Sequence, residues 1–273
     1  MSNFALKDRT VDVVSGELTG EDSADSEGPL SDEVVQSYRR NGFVQLRSVL
    51  TPPEVARFAA AATEVYLHGQ ALKAGDPTFK QVVNVWDRDE VLRDLTFHPR
   101  LAAAATQLAG IPLRLWHDQL LMKAPHNHAA TEYHQDGPYW PHDNSRHSLS
   151  AWVALVDVPL ERGCMTFIPG QQDRRDIRAV DLTDKTDLFE AADDLTYQPR
   201  VTIPLRAGDV TFHSAYTPHT ANPNDTDEVR LAQVVIYVDR ELTYNGRPHV
   251  CTDPLGLPVG QPLPDERFPL LPQ

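Results

Sequence analysis

Residues 131–141 read TEYHQDGPYWP, and at the centre of the stretch His134 and Asp136 stand two positions apart. In an extended segment, residues i and i+2 project to the same face. One imidazole nitrogen and one carboxylate oxygen can therefore converge on a single metal ion, provided that Gly137-Pro138 turns the chain just beyond them. Alone the pair is a weak signal. A chain with 11 histidines and 39 acidic residues meets this spacing by chance, and a solvated loop histidine beside an unrelated aspartate reads the same way. Its weight comes from 85 residues downstream, where 208–219, GDVTFHSAYTPH, gives a turn, a strand and an extended approach to His219.

Around these two stretches the texture is β. The runs 113–123, 148–158, 165–168, 200–204, 209–213 and 230–238 are short, apolar or alternating, and Pro, Gly and Asn turns separate them. That is the signature of an antiparallel sandwich or jelly roll. Residues 171–199 are charged and unpatterned, so an excursion from the barrel is expected there. Upstream the pattern is helical. Ser31-Asp32 caps a short helix that Asn41-Gly42 ends, and 43–50 alternates as a strand. Thr51-Pro52-Pro53-Glu54 is a capping box with proline at the first helical position, and its helix runs to about His68. Two more helices are predicted near 89–96 and 99–108, with Gly110 stopping the second. Residues 1–30 are polar and acidic and carry too little apolar surface to offset their ordering entropy, so a loose, disordered tail is expected. The prediction is α+β in a single domain, 31–273: a helical layer over about 31–110, a β core over about 111–240 and a C-terminal extension over 241–273.

With 273 residues and 41% hydrophobic content the chain can bury a full-sized core. A net charge of -14 disfavours nucleic acid and anionic membrane surfaces as partners. The two cysteines form no metal-type spacing, and no apolar run reaches signal or membrane-span length. A cytoplasmic protein with a small-molecule substrate and no evident protein partner is the expectation.

Eleven residues beyond His219, Arg230 opens the apolar run 231–238, LAQVVIYV. A cation at the inner start of a strand made for burial needs an anion, and a guanidinium fork suits a carboxylate. The other reading is an arginine at a sheet edge facing water. Two histidines and one carboxylate form the facial triad of non-haem iron(II) oxygenases. A 2-oxo acid can chelate two of the open positions and leave one for O2, while its far carboxylate is held by Arg230. Zinc accepts the same ligands, but zinc hydrolysis leaves Arg230 unexplained.

HQDGPYWP, then AWVAL at 151–155, ERGCM at 161–165, IPG at 168–170, and His219 with Arg230 together resemble the phytanoyl-CoA dioxygenase family over roughly 31–238. The resemblance implies an iron(II)- and 2-oxoglutarate-dependent oxygenase on a double-stranded β-helix (jelly-roll) core. It places the iron ligands on His134, Asp136 and His219 and the 2-oxoglutarate-binding arginine on Arg230. It also puts a cofactor-side aromatic on Trp152, a cosubstrate-lining amide on Gln119, and further cofactor contacts on Gln135 and Thr220. Asn84, Lys123, Tyr139, Trp140 and His142 are the expected substrate side. Tyr139 and Trp140 read equally as ordinary core aromatics.

Two stretches depart from the family pattern. Ala221 replaces a small hydroxyl residue two after the distal histidine, which puts one hydrogen bond to 2-oxoglutarate in question, and Gln171-Gln172 replace Ser-His. His213, six residues before His219, is the rival for the second imidazole, with a packed core histidine as its other reading. His126, His128 and His147 read as solvated loop residues. The expected reaction oxidises an aliphatic carbon of a small metabolite, by hydroxylation in the first instance, with succinate and CO2 as co-products. Desaturation, cyclisation or epimerisation needs only a different fate of the same radical. The alternatives are a cupin-like isomerase that uses no 2-oxo acid and a non-catalytic β-barrel binding protein.

Overall fold

The computed structural model describes residues 14–17, 29–68, 80–182 and 184–272. Helices begin and end on the caps that the sequence marks. The Ser31 hydroxyl accepts the Val34 amide at the head of α1 (Asp32–Asn41), and Gly42, at φ +81°, donates its amide to the Tyr38 carbonyl at the tail. Ahead of α2 (Pro52–His68), Thr51 donates its amide (2.7 Å) and its hydroxyl (2.8 Å) to the Glu54 carboxylate. Asp89 caps α3 (Glu90–Thr96), and α4 (Pro99–Ala109) starts on a proline and stops at Gly110. A shorter helix, α5 (Asp187–Ala191), lies in the charged excursion.

The strands are β1 (Ser15–Glu17), β2 (Phe43–Arg47), β3 (Lys80–Val83), β4 (Leu113–Lys123), β5 (Thr131–His134), β6 (Leu149–Ala154), β7 (Met165–Phe167), β8 (Val201–Ile203), β9 (Val210–Ser214), β10 (His219–Ala221) and β11 (Arg230–Asp239). Seven form one sheet in the order β1-β2-β9-β6-β11-β4-β3, and four form a second, β5-β10-β7-β8. Most of the acidic stretch 1–30 lies outside the described residues. Within it, however, β1 is ordered as a strand, laid parallel on β2 with Gly16 beside Leu46. A Cβ at Gly16 would stand 2.7 Å from Val34 Cγ2, so only glycine lets β1 lie this close.

Alternation along β11 sorts the core into layers. Leu231, Val235 and Tyr237 join the cluster that α1 to α4 cover, with Tyr38, Phe58, Leu95 and Leu108 among its helical members. Ala232, Val234, Ile236 and Val238 face the other way, into a second cluster shared with Met165 and Phe167 of β7 and Ala221 of β10. Helices thus pack on one face of the large sheet and the small sheet on the other, giving a mixed α and β fold. The pairing of β11 with β4 carries one bulge. Tyr237 pairs with Leu115 but Ile236 pairs with His117, so Trp116 is an extra residue in β4. A bulge re-aims side chains, and here Trp116 and His117 both turn inward.

The excursion packs around Ile177, Val180, Leu188 and Leu195 as a small third cluster beside Ile168. The C-terminal extension is tied to the body. Leu263 and Phe268 join the inner cluster, and Pro269 accepts the Leu115 amide at 2.9 Å. No described helix is long and apolar enough to cross a membrane.

Candidate active site

The small sheet brings the two histidines together. On antiparallel β5 and β10, His134 and His219 are direct cross-strand partners, and their ring centroids lie 4.3 Å apart. Asp136 follows at the turn that opens Gly137–Tyr139. Its Oδ1 lies 3.5 Å from His134 Nε2 and 3.8 Å from His219 Nε2, and one ligand atom from each residue falls within 4.8 Å of the others. Both rings are fixed from behind. His134 Nδ1 donates to the Glu132 carbonyl at 2.7 Å and His219 Nδ1 to the Thr217 carbonyl at 2.9 Å. A proton held on Nδ1 leaves the Nε2 lone pair free to bind a metal. Burial, with His134 beside it, pushes the His219 imidazole down to about 3, so it is neutral. Burial alone would raise the Asp136 carboxyl, but the surrounding His219, His134 and His213 rings hold it well below the usual carboxylate range. Two imidazoles with Nε2 turned to a common point and a carboxylate are the donor set of a facial triad on iron(II). The turn after Asp136 depends on Gly137, because a Cβ there would meet the Tyr216 ring at 2.5 Å.

The triad opens into a cavity of about 240 Å³ between the sheets. Arg230 lines it, almost fully buried and with its guanidinium carbon 5.4 Å from the centroid of the Trp152 ring. Nε and Nη1 of Arg230 are buried and have no hydrogen-bond partner among the described residues. Burial pushes the group down to about 10, so it remains a cation at neutral pH. Its cross-strand neighbour Lys123 offers no anion; burial, with Arg230 beside it, pushes the Lys123 amine down to about 7. A buried, unpartnered guanidinium at the end of a cavity fits an incoming carboxylate.

Of the residues expected from sequence, the cavity wall gathers His134, Asp136, His219, Arg230, Gln119, Trp152, Tyr139 and Trp140. Five others stand behind it. Gln135 turns away, its amide donating to the Arg174 (2.9 Å) and Tyr216 (2.6 Å) carbonyls. Thr220 bonds the Thr131 carbonyl, across the strand pair rather than into the cavity. The Lys123 ammonium is held by the carbonyls of Ala129, Ala221 and Asn222 at 2.8–3.1 Å. Asn84 adopts a left-handed backbone at φ +56° and accepts from Trp86 Nε1 at 3.3 Å. His142 is buried edge-on against Trp116, with ring centroids 5.3 Å apart. His213 approaches the other oxygen of Asp136, with its Nε2 3.6 Å from Oδ2. Three contributors went unread: Ser150, which donates to Asp136 Oδ2 at 3.2 Å, and the wall residues His117 and His249. Ser150 was within reach of a pattern argument, since it alternates in phase with Trp152 on β6. His249, in the unpatterned C-terminal extension, had no such signal.

A family model described as Phytanoyl-CoA dioxygenase (PhyH) matches residues 38–232. This chain belongs to the phytanoyl-CoA dioxygenase family. It is 29% identical to the L-proline trans-4-hydroxylase of Streptomyces griseoviridis over 150 residues, 53% of this chain and 56% of the relative, so the chain spans little more than half of that protein's length. Among solved structures it resembles the non-heme alpha ketoglutarate dependent carbocyclase SnoK from nogalamycin biosynthesis. The identity is 39% and the TM-score 0.80, covering 90% of this chain and 100% of that one. It also resembles the epimerase SnoN in complex with Fe3+, alpha ketoglutarate and nogalamycin RO. There the identity is 36% and the TM-score 0.73, with 88% and 98% covered.

Proposed function

We propose that His134, Asp136 and His219 hold the iron(II) of a non-haem, 2-oxoglutarate-dependent dioxygenase, and that Arg230 binds the far carboxylate of the cosubstrate. The observation that carries this is the pairing of a pre-oriented donor set with a buried cation lacking an anion in one cavity. When bound, iron and 2-oxoglutarate supply, with O2, the power to take a hydrogen atom from an aliphatic carbon, leaving succinate and CO2.

The chain's own residues do the rest. Glu132 and Thr217 carbonyls hold the two imidazoles in the ligating tautomer. Ser150 occupies Asp136 Oδ2, which leaves Oδ1 for the metal. Trp152 supports the guanidinium of Arg230 from one face, and Gln119 adds an amide to the cosubstrate end. Tyr139 and Trp140 form the substrate wall and help to keep water from the reacting carbon. The two sheets are read as a double-stranded β-helix. Residues 31–273 act as one cytoplasmic oxygenase domain on a small metabolite.

The fate of the substrate radical has two readings. Hydroxylation is the simplest and is what the proline hydroxylase does by name. Ring closure or epimerisation is favoured by the solved relatives, which match at higher identity and over almost the whole chain. Nogalamycin-type intermediates are the substrates to try first. A screen by mass spectrometry separates the outcomes: an added oxygen atom, a loss of two hydrogens, or no mass change with an altered retention time. In each case succinate must form in step with product in the wild type and not in Asp136→Ala. Product without succinate would point to the isomerase reading. Failure of anaerobic protein to bind iron stoichiometrically would overturn the site.

A further inference from the structure

At the end of the cavity away from Arg230 stand two imidazoles outside the metal triad. His117, on β4, is 5% exposed, and His249, from the C-terminal extension, is half-buried; both line the cavity. Their ring centroids are 5.7 Å apart, and Trp116 packs on both, at 5.8 and 5.0 Å. The β4 bulge at Trp116 is what turns His117 inward. Along β11, Arg230 and Ile236 are six residues apart, about 20 Å of extended chain. His117 lies across from Ile236 on one side and Ser150 across from it on the other. His117 thus stands two strand spacings, about 10 Å, from the serine that touches Asp136.

The two rings carry opposite hydrogen-bonding roles. His117 Nδ1 donates to the Asp118 carbonyl at 3.3 Å, so its Nε2 bears a lone pair. His249 Nδ1 accepts the Cys251 amide at 3.2 Å, so its Nε2 bears the proton. Neither Nε2 has a partner among the described residues, and neither is among their sealed-off buried polar atoms. Burial lowers both rings from the usual histidine range, His117 to about 3, which keeps them neutral. Nearby, Leu182 and Val250, 37% and 67% exposed, give the cavity mouth apolar sides.

We propose that His117 and His249 form a substrate subsite for one hydroxyl group on an apolar skeleton. The hydroxyl oxygen accepts from His249 Nε2–H and its proton is donated to His117 Nε2. Two hydrogen bonds of about 2.9 Å can meet at one oxygen between rings this far apart. A ketone or ether in the same place satisfies His249 and leaves the His117 acceptor covered by the ligand but unpaired, which disfavours such analogues by about one hydrogen bond. The subsite rests on the oxygenase reading for its substrate but is tested by binding alone.

The full chain is loaded anaerobically with iron(II) and 2-oxoglutarate and titrated by calorimetry with 1-indanol and, separately, 1-indanone. The wild type is expected to bind 1-indanol about tenfold more tightly, one hydrogen bond's worth. His117→Phe, which keeps a ring against Trp116, brings the ratio to about one by weakening only the alcohol. His117→Gln, which restores an acceptor, keeps the preference. His249→Phe weakens both probes. The charge-transfer absorption of the iron–2-oxoglutarate complex, read in the same samples, reports the metal site independently. Its presence in every variant shows intact protein, and its absence from the wild type counts against the metal assignment rather than the subsite. Equal binding of the two probes, no binding of 1-indanol, or a preference that survives His117→Phe overturns the proposal.

Discussion

Arg230→Met is expected to make the ligand-free protein more stable while abolishing its hold on 2-oxoglutarate. The guanidinium is buried, and its Nε and Nη1 have no partner among the described residues. Each buried donor left unpaired costs about 1–3 kcal/mol. The fall of the group from 12.5 to about 10 carries the same sign, equivalent to about 3 kcal/mol against the cation. Opposing this is the contact with Trp152 at 5.4 Å, worth about 1–2 kcal/mol when desolvated. The net gain on replacement is about 1–3 kcal/mol, or roughly 2–10 °C in Tm for a chain of this size. Binding moves the other way. Losing a buried charge-assisted pair costs about 2–5 kcal/mol, roughly 30- to 4,000-fold in Kd. Anaerobic thermal denaturation with and without iron(II) and 2-oxoglutarate reads both effects. At a hundredfold excess over Kd the ligand stabilises the wild type by about 2.7 kcal/mol, and at the same concentration the variant should gain at most about 0.9 kcal/mol. A ligand-free variant that melts below the wild type, or one that 2-oxoglutarate stabilises as much as it does the wild type, would refute the reasoning.

Three further outcomes rest on named contacts. Burial lifts Asp118 to about 7 despite donors from Thr96 and the Trp86 amide. Its folded value is above its unfolded one, so its contribution is fully present below about pH 4 and is lost as pH rises through 7. Asp118→Asn should flatten the fall in urea midpoint between pH 5 and 8, and an unchanged slope would exclude Asp118 as its source. Burial would raise Glu54, but Thr51, His98 and Arg100 hold it down to about 2. Glu54→Ala should cost about 1–2 kcal/mol at neutral pH. That difference is present above 4.5 and vanishes as pH falls through 2, as urea titrations across the acid range will show. Gly137→Ala places a Cβ 2.5 Å from the Tyr216 ring and displaces the turn that carries Asp136. Iron affinity should drop at least about tenfold, measured by competition with a chelator, while the helical circular dichroism stays that of the wild type.

Much of this architecture was readable because its signals are local. Ser31, Gly42, Thr51 with Glu54, and Gly110 each act within one helical turn, and the alternation of β11 survives intact in the fold. The spacing of His134 and Asp136 likewise carried its own geometry. The choice of His219 over His213 was harder, since both rings approach the same carboxylate. They are told apart by sheet: His219 faces His134 across β5 and β10, whereas His213 comes from β9. Gln135, Thr220 and Lys123 show the opposite limit. Each is polar and adjacent to wall residues, yet each finds backbone carbonyls behind the cavity. Apart from Ala129, six residues from Lys123, these partners lie 39 to 99 positions away in sequence, where no periodicity reaches. The position of His249 depends on how the C-terminal extension docks through Leu263 and Phe268, which is a tertiary fact.

β5 is the outermost strand of the small sheet, four residues long, and among the described residues it pairs on one flank alone, with β10. An ion bridging His134 to His219 would rivet that margin shut, so iron starvation would threaten solubility as well as turnover. Chelator-treated enzyme, rather than the replete form, is then the species in which β5 can lift from β10 and bare a second strand edge to neighbouring molecules.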